Sequence, residues 1–430
     1  MNGNERINNK VAKNAAWLIA GRVFQSLINL LVGLLTARYL GPGNYGLISY
    51  AAAYTTFFTA ICTLGINSVI VKELIDDPEN EGRTLGTALG LRAVTSILSA
   101  LAIIGISCIL DAKEPETQLV VALYSISLCI NIFEVFAYWF QSRLQSKKAA
   151  IASLAAYSLT AIYKLVLLFL HMPTAYFAVA TSIDYLCVAV ILIAFYRIEK
   201  GKKLSFSWDY GKQLLGRSRY YISAGLMVAI YTQTDKIMLK QLIGETAIGY
   251  YSTALSLCNA WCFLLTAVIT SMEPVILRSF QEDKAKFLRL NCALYSIVFY
   301  LSCFVSVGFM LFGNWLVPLL YGETYLPAAA PLRILTWQTA FSYLGVARNT
   351  WIVCENRQKY LSGLYFSAAL VNVLLNFLLI PPFGASGAAF ASLAAQAAII
   401  LVIPFFMEPL RENAALIVDA ILLKWLRSKG

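Results

Sequence analysis

The residues of this chain best suited to chemistry are charged side chains embedded in long apolar segments. They are Arg22, Arg92, Glu134, Lys164, Asp184, Asp235, Lys236, Arg333 and Arg348. An ionisable group inside a lipid bilayer is energetically costly unless it faces a water-filled cavity or a partner of opposite charge. Such residues are therefore candidates for binding a charged solute or carrying it through a membrane.

Four of the cations lie at depths that suit a passage across a bilayer. Two lie toward the inner side and two lie deeper, judged from a helical rise of about 1.5 Å per residue; they are Arg22 and Arg92, then Lys164 and Lys236. We predict that these four side chains line a cavity. The alternatives are pairing between neighbouring helices, Arg92 with Glu134 and Lys164 with Asp184, and extension of the charged end to the membrane surface.

The stretch TQTDKIMLK, residues 232–240, carries a polar stripe within an apolar window. Gln233, Lys236 and Lys240 follow the i, i+3, i+7 spacing of one helical face, with Asp235 toward its edge. The pattern predicts a helix that lines a polar cavity. Asp235 and the more central Asp184 are candidates for coupling to H⁺ or Na⁺, since intramembrane carboxylates mark ion pathways.

Composition places these residues in an integral membrane protein. Hydrophobic residues make up 59% of the 430 residues and charged residues 13%, whereas soluble domains are about a quarter charged. An all-α protein is predicted, because unpaired strands are too costly in lipid. Twelve segments are long and apolar enough to span a bilayer: 15–37, 45–71, 85–110, 118–140, 150–170, 176–196, 220–243, 249–272, 291–320, 331–353, 360–380 and 387–407.

The distribution of Lys and Arg predicts the orientation. With the N-terminus in the cytoplasm, the inner segments hold 25 of these residues and the outer segments hold 3. Positive charge accumulates on the cytoplasmic side of membrane proteins, so both termini are predicted to be cytoplasmic. The same bias explains most of the net charge of +11, and a nucleic acid partner is not predicted.

An internal repeat suggests two related halves. LGPGNYGLISYAA from Leu40 and IGETAIGYYSTALS from Ile243 share two glycines, a serine and an alanine at a constant offset of 203 residues. The glycines suit a tight turn or a close approach between helices, although Gly-rich turns also recur by chance. The predicted organisation is a six-helix lobe at 1–200, a basic linker at 201–219, a second six-helix lobe at 220–407 and an amphipathic tail at 408–430, with the lobes as parallel repeats.

Other motifs point to structure rather than to chemistry. Nine cysteines without a CxxC pair indicate neither a metal site nor a disulfide framework. The sequence contains no GxxxxGK[ST] motif, so a nucleotide cofactor is not predicted. Gly86 and Gly90 predict close helix packing. Arg333 and Arg348 are predicted to extend to the membrane surface, and segments 273–290 and 408–430 to lie on it.

Three stretches resemble one transporter family. ARYLGPGNYGLISYA (37–51), TQTDKIMLKQLIGETAIGYYSTA (232–254) and ENRQKYLSGLYFSAALVNVLLNFLLIPPFGASGAAFAS (355–392) are similar in order and spacing to the polysaccharide biosynthesis, or O-antigen repeat-unit, flippases. These belong to the multidrug/oligosaccharidyl-lipid/polysaccharide (MOP) exporter superfamily. The resemblance implies a fold like that of the MATE drug exporters, with two six-helix lobes around a central cavity.

The resemblance also implies a function. The expected activity is moving a polyprenyl-pyrophosphate-linked oligosaccharide from the inner to the outer leaflet of the bacterial cytoplasmic membrane. Arginine suits pyrophosphate because its planar fork binds two oxygens at once. Expected partners are membrane lipids, H⁺ or Na⁺ and the glycan polymerase machinery. The alternative is a cation-coupled drug or metabolite antiporter. An enzyme is not predicted, since the short outer loops carry no carboxylate–histidine set.

Overall fold

The computed structural model describes the backbone of residues 3–427 and the side chains of residues 25–425, except those of 27, 68 and 220. Within these residues the chain is helical and contains no strand, so the predicted all-α class is confirmed. Seven helical segments of the described part are long and apolar enough to cross a membrane: Pro78–Leu110, Pro115–Ser142, Ser146–Phe169, Thr174–Ile198, Cys262–Glu282, Lys284–Tyr321 and Gln358–Phe406. The count of twelve spans and their division into two six-helix lobes remain predictions.

Backbone proximity divides the chain into two compact units. Unit 1 comprises residues 1–40 and 47–229. Its helices are α1 (Gly3–Cys62), α2 (Ile66–Asp76), α3 (Glu81–Leu110), α4 (Pro115–Asn131), α5 (Val135–Ser142), α6 (Ser146–Phe169), α7 (Thr174–Ile198) and the first part of α8 (Trp208–Leu242). Helix α1 is interrupted at Gly41, and its residues 41–46 belong to unit 2. Short 3₁₀ turns at 78–80 and 132–134 precede α3 and α5.

Unit 2 comprises residues 41–46 and 230–430. It contains the end of α8, then α9 (Glu245–Ala260), α10 (Cys262–Glu282), α11 (Lys284–Tyr321), α12 (Ala329–Cys354), α13 (Leu361–Ala397), α14 (Ile403–Phe406), α15 (Glu408–Ile421) and α16 (Lys424–Arg427). Helix α13 is interrupted at Gly384. The helix widens into one π-turn at 398–402, between α13 and α14.

The four glycines of the internal repeat have two different structural roles in unit 2. Gly41 and Gly244 have φ angles of 72° and 121°, values that side chains other than glycine rarely adopt. Gly46 and Gly249 instead permit close backbone approach. A Cβ on Gly46 would overlap the backbone of Glu245, and a Cβ on Gly249 would overlap that of Pro42. Both predicted reasons for glycine, a tight turn and a close approach, are therefore confirmed.

The core of unit 1 is anchored on one buried carboxylate. Glu81, 3% exposed, accepts a 2.9 Å hydrogen bond from Trp139 Nε1 and pairs with Arg143 at 2.7 Å. It also accepts a 3.2 Å bond from the backbone N–H of Lys202. Because the charge is paired and hydrogen-bonded, its burial is tolerated. Glu81 therefore ties α3 and α5 to the segment that precedes α8.

That segment, residues 202–207, is an extended strap lying along a glycine groove of α3. A Cβ at Gly82, Gly86 or Gly90 would collide with the strap at Lys203, Ser205 or Phe206, respectively. The Ser205 N–H also donates to the Gly82 carbonyl at 3.1 Å. The glycines of α3 thus pack against an extended segment, and the prediction that Gly86 and Gly90 pack against another helix is wrong. The spacing of the glycines alone does not distinguish an extended segment from a helix as the packing partner.

Replacing Gly86 by alanine is expected to lift the strap from α3. The new Cβ would lie 2.7 Å from the Ser205 nitrogen, so the backbone must move, and overpacking of this kind costs about 1–3 kcal/mol. We expect faster tryptic cleavage after Lys202 and Lys203. Gly105→Ala on the same helix is the control, since its Cβ meets no described atom within 4 Å. Equal cleavage rates in the two variants would contradict this account.

Helix α15, in the C-terminal tail, packs on protein. Its apolar side chains Leu410 and Ile417 are buried in the core of unit 2, and Ser296 and Tyr300 of α11 donate to the carbonyls that end α15, at 2.9 and 2.7 Å. Residues 273–290 form the end of α10 and the start of α11, where Asp283 caps α11. The apolar side of α15 therefore packs on protein, and the placement of both segments at the membrane surface remains a prediction.

Candidate functional site

One face of α6 lines two adjoining cavities in unit 1. The larger, about 400 Å³, has a mainly polar wall that includes Gln25, Glu134, Tyr138, Gln141, Ser153 and Tyr157. The smaller, about 180 Å³, includes Asn29, Tyr157, Thr160, Lys164, Asp184 and Tyr185. Tyr157 borders both cavities. The two together form a polar site along a single helix.

The sequence of α6 explains why its polar side chains converge. Ser146, Ser153, Tyr157, Thr160 and Lys164 recur every three, four or seven residues, which places them on one face of a helix. From the rise per residue this face extends roughly 27 Å. The sequence prediction used only Lys164 from this set. Polar residues at helical spacing in an apolar span were the signal that could have revealed the others.

Lys164 and Asp184 occupy the smaller cavity together. Asp184 is 9% exposed, and its Oδ1 has no hydrogen-bond partner among the described residues. The Thr160 hydroxyl, 6% exposed, lies beside this carboxylate and interacts with it. The Asp184 carboxylate therefore faces both a hydroxyl and the Lys164 ammonium, and the cavity carries one charge of each sign. Lys164 supplies the positive charge that an anionic group would need.

Arg92 lies behind the larger cavity and does not line it. The guanidinium is 1% exposed, with Nη2 3.5 Å from Glu134 Oε2 and 3.4 Å from Asn131 Oδ1. Glu134 is 41% exposed and forms part of the cavity wall. Of the possibilities considered for Arg92, the structure shows the pairing with Glu134. The side chain of Arg22 lies outside the described residues, while Gln25, one turn further on, lines the cavity.

Arg92→Ala is expected to weaken both stability and transport. It leaves Glu134 and Asn131 without their shared donor, and loss of such a buried partner costs about 1–3 kcal/mol. Thermal unfolding of the purified protein and solute export in cells would measure the two effects. Arg197→Ala, at the exposed end of α7, is the control. An unchanged melting temperature together with unchanged export would show that the pair is dispensable.

Unit 2 holds a second polar centre, around Asp235. This carboxylate is 1% exposed and accepts hydrogen bonds from Tyr251 at 2.5 Å, Asn376 at 2.6 Å, Asn372 at 3.0 Å and Ser392. The donors come from α9 and α13. The predicted position of Asp235, on the edge of a cavity-lining stripe, is wrong, because the side chain points into a buried cluster of neutral donors.

The Asp235 cluster has the composition of a site for a small cation. The cluster contains one carboxylate, two amides and two hydroxyls, but in this structure both amides and both hydroxyls donate to Asp235, so a bound cation would have to replace those hydrogen bonds. The Oδ1 of Asn376 has no hydrogen-bond partner among the described residues. Hard cations prefer oxygen ligands. Asn372 and Asn376 were missed in the sequence, although two amides four residues apart in an apolar helix share one face.

The remaining predicted cation of unit 2, Lys236, is partly exposed on α8. Its stripe neighbour Lys240 pairs with Glu245 at 2.6 Å, across the turn from α8 to α9. The role of Lys236 in a cavity therefore remains a prediction, while Lys240 has a structural partner.

Arg348 does not reach the membrane surface. It is 1% exposed, and its Nη1 donates a 3.0 Å hydrogen bond to the carbonyl of Ile399 within the π-turn. A π-turn alters the usual pattern of backbone hydrogen bonds, and here it provides an internal acceptor for the guanidinium. The sequence prediction was wrong because it judged Arg348 only by its distance from the helix end.

Comparison with known sequences gives consistent matches. A family model described as polysaccharide biosynthesis protein matches residues 11–280. The capsular polysaccharide biosynthesis protein CapF of Staphylococcus aureus is 22% identical over 389 residues, covering 88% of this chain and 94% of CapF. The Shigella flexneri protein named "Putative O-antigen transporter" is 19% identical over 436 residues, covering 97% of this chain and 98% of that protein.

Comparison with solved structures identifies the fold. The lipid II flippase MurJ in an inward closed conformation superposes with a TM-score of 0.73 and 14% identity, covering 96% of this chain and 93% of MurJ. An inward-facing multidrug resistance MATE family transporter of the MOP superfamily gives a TM-score of 0.69 and 16% identity, covering 91% and 95%. At these identities the likeness concerns the fold alone, and the predicted MATE-like fold is confirmed.

Proposed function

The chain belongs to the polysaccharide biosynthesis protein family, and from this we propose that it is a flippase for a lipid-linked oligosaccharide. The substrate is a repeat unit carried on polyprenyl pyrophosphate, and the movement is from the inner to the outer leaflet of the bacterial cytoplasmic membrane. Both termini lie in the cytoplasm in this proposal. Family membership and the apolar helices support a multi-pass membrane protein.

The observation that carries the proposal is the polar face of α6. A flippase must shield a hydrophilic head group from the hydrocarbon region, because polar groups are costly there. Serines, a tyrosine, a threonine and a lysine follow one another along a helix whose other faces expose Leu159, Ile162 and Val166. A head group moving along this face exchanges one set of hydrogen bonds for the next.

In this proposal Lys164 is the main contact for the pyrophosphate in unit 1. It is the cation that borders the smaller cavity among the residues described there. Arg22 and Lys236 are proposed as further contacts on the path. Arg92 is proposed to act indirectly, by holding Glu134 in the cavity wall.

Ion coupling is assigned to the two buried carboxylates. Asp235 is surrounded by oxygen-bearing side chains that suit Na⁺ or a proton. Asp184 shares a cavity with Lys164, so an anionic substrate that attracts Lys164 alters the electrostatic environment of Asp184. This arrangement supports exchange of a cation for substrate.

The proposal is tested in a strain deleted for the gene. Polyprenyl-linked saccharides are extracted and measured together with surface polysaccharide. We expect the linked repeat unit to accumulate and the surface glycan to be lost, with both restored by the intact gene. Unchanged amounts of both would overturn the proposal and favour the drug or metabolite antiporter, for which altered drug susceptibility of the same strain is the matching readout.

A further inference from the structure

The two cavities along α6 differ in their chemistry. The smaller one contains a lysine and a carboxylate. The larger one contains tyrosines, glutamines, serines and Glu134, and none of its described lining residues is a cation. An anionic group gains a cationic partner, Lys164, in the smaller cavity, whereas in the larger one it meets neutral donors and the Glu134 carboxylate. The two therefore suit different parts of a substrate.

The wall of the larger cavity matches the needs of a sugar ring. Tyr138 and Tyr157 offer aromatic surface and a hydroxyl each, which suit a ligand with apolar C–H faces and polar edges. Gln25 and Gln141 each carry both donor and acceptor groups, and Glu134 accepts hydrogen bonds. The volume of about 400 Å³ lies within the range of about 300–1,000 Å³ usual for small-molecule sites.

We infer that the larger cavity is a sugar-binding subsite that selects uncharged or amino sugars over uronic acids. The inference rests on the flippase function proposed above and specifies part of its substrate. Selectivity comes from Glu134, whose carboxylate stands at the cavity wall with Arg92 behind it. A uronate would place a second carboxylate beside Glu134, which is 41% exposed and paired with Arg92 on one side, and like charges brought together in this way are disfavoured.

The spacing of the two subsites agrees with a sugar joined to pyrophosphate. Tyr157 and Lys164 are two turns apart on α6, roughly 10 Å by the helical rise. The sugar would occupy the end of α6 near Ser146, which is predicted to face the cytoplasm, while the pyrophosphate reaches Lys164. Helix α6 would therefore set the distance between the bound sugar and the bound pyrophosphate.

The test is ligand-observed saturation-transfer NMR with the purified full chain in detergent. The probes are methyl glucoside, methyl glucosaminide and methyl glucuronide. We expect signals from the first two and a much weaker one from the glucuronide. Glu134→Gln should raise the glucuronide-to-glucoside signal ratio about tenfold by removing the like charge. Because the ratio is measured within one variant, it does not depend on the amount of folded protein.

A second variant tests the aromatic wall. Tyr157→Ala should weaken all three signals roughly tenfold. Tyr163→Ala is the matched control, since Tyr163 lies on the same helix, lines neither cavity and bonds the Tyr176 carbonyl at 3.2 Å. Equal signals from glucoside and glucuronide in the wild type, or no loss in Tyr157→Ala, would overturn the subsite.

Failure of this inference is separable from failure of the proposed function. The glycoside measurement requires no transport, and the deletion strain requires no knowledge of the subsite. Restored export together with unselective glycoside binding would overturn the subsite and leave the flippase proposal standing. Selective glycoside binding without accumulation of the repeat unit in the deletion strain would support the subsite and overturn the flippase proposal.

Discussion

Asp235→Asn is expected to abolish most export while leaving the protein folded. The amide has nearly the same shape as the carboxylate, but it cannot supply the negative charge that a bound cation needs. A buried charged contact of this kind contributes about 2–5 kcal/mol, so export should fall at least about thirtyfold. The cluster of Tyr251, Asn372, Asn376 and Ser392 would persist around a neutral group.

Two measurements separate loss of coupling from loss of structure. Export in the complemented deletion strain gives the first, and thermal unfolding in detergent gives the second. We expect little change in unfolding, because replacing a buried charge by a neutral isostere removes a desolvation cost along with its hydrogen bonds. Asp209→Asn, exposed near the start of the same helix, is the control. Normal export by Asp235→Asn would exclude this carboxylate from coupling.

Lys164→Gln is expected to produce the second large loss of export. Glutamine keeps much of the length of the side chain but removes the charge that the proposal assigns to pyrophosphate binding. The expected fall is at least about tenfold, which corresponds to about 1.4 kcal/mol. Lys113→Gln, an exposed change outside both cavities, should export normally.

The double variant Lys164→Gln/Asp184→Asn shows which purpose the lysine serves. If Lys164 only compensates the charge of Asp184, removing both charges restores a neutral cavity and should restore export. If Lys164 binds substrate, the double variant remains as defective as Lys164→Gln. The flippase account predicts the second result, and recovery in the double variant would contradict it.

The sequence predicted those features that depend on local pattern. Hydropathy located α6 and α7 to within a few residues, since each contains one apolar span of sufficient length. The repeat predicted unusual backbone at Gly41 and Gly244 because few residues other than glycine adopt a positive φ. Charge in an apolar setting identified Lys164, Asp184 and Asp235 as positions of interest.

Features that depend on distant contacts were not predictable in the same way. Tyr251, Asn372 and Ser392 meet Asp235 only because α9 and α13 pack beside α8, and no spacing rule relates residues so far apart. The occupant of the glycine groove on α3 was misjudged because an extended strap and a helix both require small residues. Glu134 was classed only as a partner of Arg92, since depth along a helix does not show which member of a pair faces a cavity.

The most direct test of the central claim is transfer of the substrate between leaflets by the purified protein. Proteoliposomes would contain the polyprenyl-pyrophosphate-linked repeat unit extracted from the deletion strain, and a membrane-impermeant glycosidase outside would report how much becomes accessible with time. We predict that accessibility rises beyond the outer-leaflet fraction with wild-type protein and rises much more slowly with Lys164→Gln. Accessibility that stays at the level of protein-free liposomes, with an imposed H⁺ or Na⁺ gradient as well as without one, would contradict the assignment of this chain as a flippase.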